Sequence, residues 1–186
     1  MSRLLVAPLV FAGLVFCSFT VLAQSFPLEG LAGEVASGGQ KDVITFSQVR
    51  DLAGPEERQA HETLKGQELV EKIKEVRTAA IDHLVDRTLI LQAFRAQGRA
   101  IPESLVDERL EAIIRNEFGG DREAFRRKLL AQGYTLEKFR EHEREEIILQ
   151  QMRDDATQGA TSADDAKRQE DGWLKKLRRK AYIKVF

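Results

Sequence analysis

The stretch AAIDHLVDRTLILQAFRAQG, Ala79 to Gly98, carries the strongest structural signal in the sequence. Its apolar residues recur at spacings of three and four: Ile81, Leu84, Val85, Leu89, Ile90, Leu91 and Phe94. At about 100° per residue, the consecutive residues Leu89 to Leu91 cover roughly 200° of a helix. A helix with so wide an apolar surface should be enclosed by other elements. We therefore predict a mainly α-helical domain with this stretch as its central helix, ending at Gly98.

The same spacing extends the central helix and predicts others. Helical periodicity resumes at Gln67, and an unbroken run into the central helix would give roughly thirty residues, about 45 Å at 1.5 Å per residue. Downstream, we predict a helix with Pro102 at its first position, followed by helices capped by Asp121 and Thr135. The domain should therefore contain one long helix surrounded by shorter ones.

An earlier helix is predicted from Thr45-Phe46-Ser47-Gln48, in which Thr45 and Gln48 have the spacing of a capping box. We expect this helix to end near Gly54-Pro55, because proline removes a backbone donor from a helix interior. Residues 56–66 are mostly polar and fit a helix or a loop equally well.

The two ends of the predicted domain are extended. The short runs Glu34–Ser37 and Asp42–Ile44 flank two glycines and predict a small β-hairpin. The last residues, Tyr182 to Phe186, are β-branched and aromatic, which predicts a strand. This terminal strand needs a partner, and the hairpin is the available one. We therefore predict a small β-sheet in which the two chain ends meet.

The first residues have the composition of an export signal. Arg3 precedes an uncharged stretch from Leu4 to Ala23, which predicts a secretory signal peptide cleaved after Ala23. A retained membrane anchor is the alternative, because the stretch is long enough to span a bilayer. A lipid anchor at Cys17 is less favoured, since Phe16 is too bulky for the position before a lipidated cysteine.

Removal of the signal peptide from the 186 residues leaves 163, enough for one domain with its own core. The segment before the closing helix is rich in Asp, Gly, Thr, Ser and Ala and has no apolar period, which is typical of a linker. We divide the chain into a signal peptide 1–23, a flexible leader 24–33, a helical domain 34–155, a linker 156–172, and a closing helix and strand 173–186 that pack back on the domain.

Charge and cysteine content exclude several classes of protein. The mature chain loses Arg3, so 28 basic residues face 30 acidic ones, whereas nucleic-acid binders present a basic surface. Cys17 is the only cysteine and leaves with the signal peptide, so the mature chain has no disulfide and no thiolate ligand. We expect no nucleic-acid partner and no stable membrane insertion after signal cleavage.

The sequence contains no recognisable catalytic constellation. His61, His83 and His142 are scattered, and no phosphate-binding, dinucleotide-binding, serine-nucleophile or zinc motif occurs. The acidic run EHEREE, from Glu141 to Glu146, could supply metal ligands, but its interleaved arginines favour a solvated helix face. We therefore predict no catalytic residue, no metal and no cofactor.

Two motifs, taken with their order and spacing, resemble a known family. Asp86-Arg87-Thr88-Leu89-Ile90-Leu91-Gln92-Ala93 lies on the central helix, and Gly133-Tyr134-Thr135-Leu136-Glu137-Lys138-Phe139 begins the last predicted helix of the domain. With the signal peptide and the final WLKKLRRKAYIKVF, they resemble the SurA-type periplasmic chaperones over residues 34–152 and 173–186. Relatives usually carry one or two parvulin-type prolyl isomerase domains before the closing segment. This sequence has only residues 156–172 there, so we expect the isomerase to be absent.

The resemblance implies an ATP-independent holdase chaperone in the periplasm that binds unfolded secreted or outer-membrane polypeptides. A chaperone would use exposed aromatic side chains as a client groove, and the candidates are Phe118, Phe125, Tyr134, Phe139 and Trp173. These side chains could instead form the core between short helices. The alternative function is a non-catalytic envelope interaction module or a helical homodimer, and a prolyl isomerase is the least favoured.

Overall fold

The computed structural model describes residues 30–186. In chain order they form β1 (Leu31–Ser37), β2 (Gln40–Thr45), α1 (Phe46–Thr63), α2 (Gly66–Ala96), α3 (Glu103–Phe118), α4 (Arg122–Ala131), α5 (Leu136–Ala156), α6 (Ala163–Lys180) and β3 (Tyr182–Val185). This mainly α architecture with a small sheet confirms the predicted fold class. The predicted signal peptide and most of the predicted leader lie outside the described residues. Within residues 30–186, no helix is both long enough and apolar enough to cross a membrane.

Helix α2 lies at the centre of the fold, and its 31 residues confirm that the central helix runs on without a break from the upstream periodicity. Leu89 packs in one apolar core and its neighbour Ile90 in another. The sheet core comprises Ala32, Val35, Ile44, Val49, Ala53, Val76, Ala80, Val85 and Leu89, and the helix core comprises Ile90, Phe94, Ile101, Val106, Ile148, Leu149 and Met152. Because consecutive residues of α2 face different cores, the helix is enclosed as its sequence predicts.

The sheet has the strand order β2-β1-β3, with both pairs antiparallel. Gly38 and Gly39 connect β1 to β2 with φ angles of +59° and +82°. Positive φ at both positions is the type I′ turn that two-residue hairpins favour. The predicted hairpin and the meeting of the two chain ends are confirmed. However, β1 begins at Leu31, so residues 31–33, which we predicted as leader, belong to the sheet.

Helix α1 begins at the predicted capping box. The Gln48 backbone N–H donates to Thr45 Oγ1 at 3.3 Å, and the Thr45 backbone N–H donates to Gln48 Oε1 at 2.8 Å. The predicted end near Gly54-Pro55 is wrong, because α1 continues through Pro55 to Thr63. The region that the sequence left unassigned is therefore largely helical.

Tertiary packing explains why proline does not end α1. The buried residues Val49, Ala53 and Ala60 are four and seven positions apart, so they share one face of the helix. Val49 and Ala53 lie in the sheet core with residues of α2, while Pro55 is exposed. An interior proline costs about 3 kcal/mol of helix propensity, and burial of one face against α2 offsets this cost.

We expect Thr45→Ala to lower the free energy of unfolding by about 1 kcal/mol, because the first turn of α1 loses the hydroxyl that accepts its backbone N–H. Urea unfolding followed by circular dichroism measures the change. Thr63→Ala, an exposed substitution in the last turn of the same helix, is the matched control and should stay within about 0.5 kcal/mol of the parent chain. Equal losses in the two variants would contradict the capping role.

The caps predicted for the later helices are confirmed. Asp121 Oδ1 accepts the Ala124 backbone N–H at 2.8 Å, and Thr135 Oγ1 accepts the Lys138 backbone N–H at 3.1 Å. Pro102 lies one residue before α3 rather than at its first position. The caps at Asp121 and Thr135 fix where α4 and α5 begin, and therefore how the turns that precede them are placed.

The prediction of a linker over residues 156–172 is wrong, because α6 begins at Ala163 and only residues 157–162 separate it from α5. Ser162 Oγ accepts the Asp165 backbone N–H at 3.2 Å and caps the new helix. Acidic residues in the first turn and basic residues in the last complement the helix dipole. None of the residues of α6 is fully buried, which is why the sequence shows no clear apolar period there.

Helix α6 packs along α2 through one ion cluster and a few apolar side chains. Arg178 donates to the carboxylates of Asp86 and Asp82 at 2.6 and 3.0 Å. Trp173 packs half-buried against the helix core, and Leu177 contacts both cores. The segment that leads into β3 is therefore held on the central helix.

Candidate functional site

Three of the five aromatic residues predicted as a client groove meet in a third apolar cluster. Phe118 and Phe139 each lie edge-on to Phe125, with ring centroids 5.4 and 5.3 Å apart. This aromatic cluster comprises the buried residues Leu110, Ile114, Phe125 and Leu129, with Phe118 and Phe139 packed against them. Edge-to-face rings at this distance stabilise a core. The cluster holds α3, α4 and the start of α5 together, and Phe125 offers no surface to a ligand.

The other two predicted aromatic residues lie apart from this cluster. Tyr134 is exposed in the turn between α4 and α5, next to the aromatic cluster in sequence. Trp173 lies on α6 and packs half-buried against the helix core. The structure therefore brings Phe118, Phe125 and Phe139 together and leaves Trp173 in a different part of the fold.

Three exposed apolar side chains lie at or beside the turn between α4 and α5, as many as lie in the last five residues of the chain. Leu130 is 73% exposed, Tyr134 is 49% exposed and Leu136 is 45% exposed. We call these three residues the turn patch. Large apolar side chains that stay exposed together mark an interaction site more often than singly scattered ones. The turn patch is therefore one candidate for a binding surface.

The backbone of this turn has a defined geometry. Gly133 has a φ of +73°, and the Tyr134 N–H donates to the Leu129 carbonyl at 2.9 Å. The Gly133 N–H donates to the Leu130 carbonyl at 3.0 Å, which completes a Schellman motif at the end of α4. The turn patch is consequently presented by a hydrogen-bonded turn rather than by an open loop.

A second candidate is a cleft of about 260 Å³ between β2, α2 and α5. It is lined by Asp42, Val43, Ile44, Gln48, Leu84, Arg87, Thr88, Leu91, Arg95, Glu141, Glu145 and Ile148. Helix α2 contacts both β2 and α5 and forms the base. Sequence reasoning missed this cleft. The only signal was the spacing of Leu84, Leu91 and Arg95 on one face of α2, which resembles ordinary core spacing.

Paired charges fix the wall that α5 contributes to this cleft. Arg87 of α2 donates to Glu146 at 2.5 Å and to Glu145 at 2.7 Å, with its own side chain 17% exposed. Burial raises the pKa of Glu146, but the hydrogen bond and charge of Arg87 outweigh this, so its pKa lies below the ordinary value. Glu146 is therefore kept charged at neutral pH, and Arg87 holds both carboxylates against α2.

A polar network holds the hairpin on the opposite side. Gln92 is buried, and its Nε2 donates to the Val35 carbonyl at 3.0 Å and to Asp42 Oδ2 at 2.8 Å. Arg95 Nη2 donates to the same Asp42 oxygen at 2.8 Å. The network ties β1 and β2 to α2, so the width of the cleft is set by contacts on both of its walls.

The acidic run on α5 is not the solvated face that its sequence predicts. Glu143 is only 7% exposed and accepts from Arg109 Nε of α3 at 2.6 Å. Arg140 and Arg144 both reach Glu103 at the start of α3, at 3.0 and 2.5 Å. These carboxylates and arginines therefore connect α5 to α3, much as Glu145 and Glu146 connect it to α2. Within residues 30–186, no three His, Cys, Asp or Glu side chains converge as metal ligands would.

The enclosed central helix, the shorter helices around it and the sheet built from both chain ends define a class of small helical domain. Within that class, the chain belongs to the SurA-like N-terminal domain family, whose sequence profile matches residues 3–153. It is also similar to the chaperone SurA of Pseudoalteromonas translucida (strain TAC 125), at 32% identity over 110 residues. That alignment covers 59% of this chain and 25% of the relative, so the chain matches about a quarter of the relative's length. The resemblance stated from the sequence motifs is confirmed.

Proposed function

We propose that this chain is an exported, ATP-independent holdase that binds unfolded secreted or outer-membrane polypeptides in the periplasm. The observation that carries the proposal is the turn patch, in which three large apolar side chains stay exposed between Leu130 and Leu136. Membership of a chaperone-domain family and the predicted signal peptide support it. The half-buried ring of Phe139 packs against the aromatic cluster one helical turn after Leu136, so it would extend the contact surface.

Suppression of aggregation tests this function. A urea-unfolded outer-membrane β-barrel protein is diluted into buffer without ATP, and light scattering is followed at increasing amounts of the purified chain. We expect suppression at near-stoichiometric amounts, because the exposed apolar side chains compete with client self-association. No change in scattering at a several-fold excess of the chain would refute the proposal.

The double variant Leu130→Ser with Tyr134→Ser should bind the client about tenfold more weakly. Two half-exposed apolar side chains together contribute about 1–2 kcal/mol on burial, and about 1.4 kcal/mol corresponds to tenfold in affinity. The matched control is Leu52→Ser with Val70→Ser, which removes two exposed apolar side chains from α1 and α2. If the two double variants suppressed client aggregation equally well, the turn patch would not be the client surface.

Self-association is the outcome predicted by the alternative function. If the turn patch serves a homodimer, sedimentation should show a dimer in the absence of client that Leu130→Ser with Tyr134→Ser disrupts. The holdase proposal requires instead that a monomer remains available in the concentration range where scattering is suppressed. A dimer that persists throughout that range and does not bind unfolded chains would refute the holdase proposal and favour the homodimer.

A further inference from the structure

Within residues 30–186, the edge of β2 that faces away from β1 presents main-chain groups with no strand beside them. The two-residue turn makes Ser37 and Gln40 a hydrogen-bonded pair, and such pairs alternate along an antiparallel ladder. The backbone N–H and C=O groups of Asp42 therefore bond to β1. Those of Lys41 and Val43 point in the opposite direction, away from β1 and toward the free edge. Among residues 30–186, no strand pairs with this side of β2.

This free edge is one wall of the cleft between β2, α2 and α5. Val43 is 45% exposed and lines the cleft from the edge. The lining is mixed: its apolar part comes from Leu84 and Leu91 of α2 and Ile148 of α5, beside the polar Gln48 and Thr88 and the charged side chains. A ligand in this cleft would meet unpaired backbone donors and acceptors on one side and an apolar base below. A polypeptide in extended conformation satisfies both requirements.

The charges around the cleft are already paired. Arg95 binds Asp42, and Arg87 binds Glu145 together with Glu146. A ligand therefore need not supply a charge to neutralise the site, and a charged side chain would have to compete with these pairs. The unsatisfied groups are those of the β2 backbone, which select an extended chain with apolar rather than charged side chains.

We propose that an extended segment of an unfolded polypeptide adds to β2 as a fourth strand, with every second side chain on the apolar base of the cleft. The ligand class rests on the proposed function, but the site is separate from the turn patch. The cleft has a volume of about 260 Å³, whereas typical ligand pockets have volumes of about 300–1,000 Å³. The cleft therefore accepts only a short segment. Because side chains alternate along a strand, the preferred segment has apolar residues at every second position.

The opposite edge of the sheet offers a matched control. The Phe186 N–H donates to the Ala32 carbonyl at 3.0 Å, so by the same alternation the backbone groups of Ile183 and Val185 point away from the sheet. Neither residue lines the cleft. The β3 edge therefore has the same backbone chemistry without the apolar base.

Three short peptides labelled with a fluorophore test the proposal by fluorescence anisotropy. The first alternates valine and threonine between terminal lysines, the second has the same composition with the valines consecutive, and the third is the first with alternate backbone nitrogens methylated. We expect the first to bind at least about tenfold more tightly than the other two, because they lose the period-two pattern or the edge hydrogen bonds. Equal binding of all three would overturn strand addition.

Substitution of the edge residues assigns the site. Val43→Pro removes a donor that the sheet does not use, and proline is tolerated at such edge positions. We expect it to weaken the alternating peptide about tenfold, whereas Val185→Pro on the β3 edge leaves binding unchanged. Equal effects of the two substitutions would overturn the assignment. The assignment would also be overturned if the chain bound no peptide but formed a dimer that Val43→Pro abolishes. The occupant of the β2 edge would then be a second copy of the chain.

Hydrogen exchange in the unsubstituted chain keeps the test independent of variant folding. The alternating peptide should protect the amides of Lys41 and Val43 and leave those of Ile183 and Val185 unchanged. Absence of protection at a saturating peptide concentration would refute the proposal. Suppressed aggregation without this protection would leave the holdase function standing and reject strand addition. Protection without suppressed aggregation would support strand addition and reject the holdase function.

Discussion

We expect Ile90→Ala to lower the free energy of unfolding by about 3 kcal/mol, within the range of about 2–5 kcal/mol for a buried isoleucine. Ile90 is fully buried in the helix core, where four helices contribute side chains. Loss of its terminal carbons removes apolar contacts and leaves a cavity that the surrounding helices can fill only in part. Since small domains are stable by about 5–15 kcal/mol, the variant should still fold at room temperature.

Urea unfolding measures this loss, with Trp173 fluorescence and circular dichroism as probes. Trp173 is the only tryptophan and packs against the helix core, so its emission reports on that core directly. His83→Ala is the control on the same helix, because His83 is exposed and its replacement should change stability by no more than about 0.5 kcal/mol. A loss below about 1 kcal/mol for Ile90→Ala would show that the helix core is not tightly packed.

Leu89→Ala should produce a loss of similar size through the other core. Leu89 lies in the sheet core, although it is adjacent to Ile90 in sequence. Because α2 belongs to both cores, we expect each variant to shift one cooperative transition seen equally by both probes. If Leu89→Ala instead moved a separate transition that Trp173 does not report, the two cores would unfold independently.

The elements that the sequence predicts best are those whose signal is local. The apolar pattern of α2, the capping box of α1 and the two-glycine turn each fix backbone geometry through neighbouring residues, and the structure confirms them. The pairing of the chain ends is a long-range feature. It was nevertheless predictable, because a short β-branched and aromatic terminus has few possible partners in a helical domain.

The errors arise where tertiary contacts override local propensity. Pro55 predicts a helix end, but α1 continues because its opposite face packs on α2. Helix α6 carries a readable N-terminal signal, Ser162 followed by Asp165, which a search for apolar period alone does not detect. Its attachment depends on Arg178, whose partners Asp82 and Asp86 lie nearly a hundred residues earlier.

The candidate sites were predictable only in part. Tyr134 belongs to a motif that the sequence singles out, but exposure of its neighbour Leu130 follows from how α4 packs on α3, which the helix pattern does not specify. The cleft joins Val43, Leu91 and Ile148 from three elements distant in sequence. No local spacing connects them, and the pairing register of β2 is needed before its free edge can be recognised.

Arg87→Met should lower the free energy of unfolding at pH 7 by about 2–3 kcal/mol. Arg87 forms two charge-assisted hydrogen bonds, and its removal leaves Glu145 and Glu146 half-buried without their cation. Removing one partner from a buried ion pair costs about 3–5 kcal/mol, and partial exposure to solvent reduces that cost. Methionine retains an apolar side chain of comparable length, so the loss reflects the charge.

Arg122→Met is the matched control for this substitution. Arg122 of α4 also pairs with a carboxylate, at 2.6 Å from Glu111 of α3, but both of these side chains are largely exposed. Exposed ion pairs contribute about 0–1 kcal/mol, so this variant should lose no more than that. Equal losses in the two arginine variants would show that burial of Arg87 does not determine its contribution.

The pH dependence separates the electrostatic contribution of Arg87 from simple loss of packing. In the parent chain the pKa of Glu146 is lowered, since Arg87 outweighs the opposing effect of burial. Its stabilisation is therefore complete above the unfolded-state pKa of about 4.3 and is lost as pH falls through the lower folded-state value. In Arg87→Met, burial is opposed only by the charges of His142 and Arg153, so the pKa of Glu146 is higher than in the parent chain and the carboxylate takes up a proton at higher pH.

The difference in unfolding free energy between the parent chain and Arg87→Met should therefore be largest at pH 7 and narrow as pH falls from about 5 to 3. Urea unfolding of both proteins across that range measures it, and a difference independent of pH would contradict the electrostatic account. Glu145 also lines the cleft, so the same substitution loosens the wall that α5 contributes. If extended chains bind there, Arg87→Met should weaken the binding of the alternating peptide at neutral pH, whereas Arg122→Met, outside the cleft, should not.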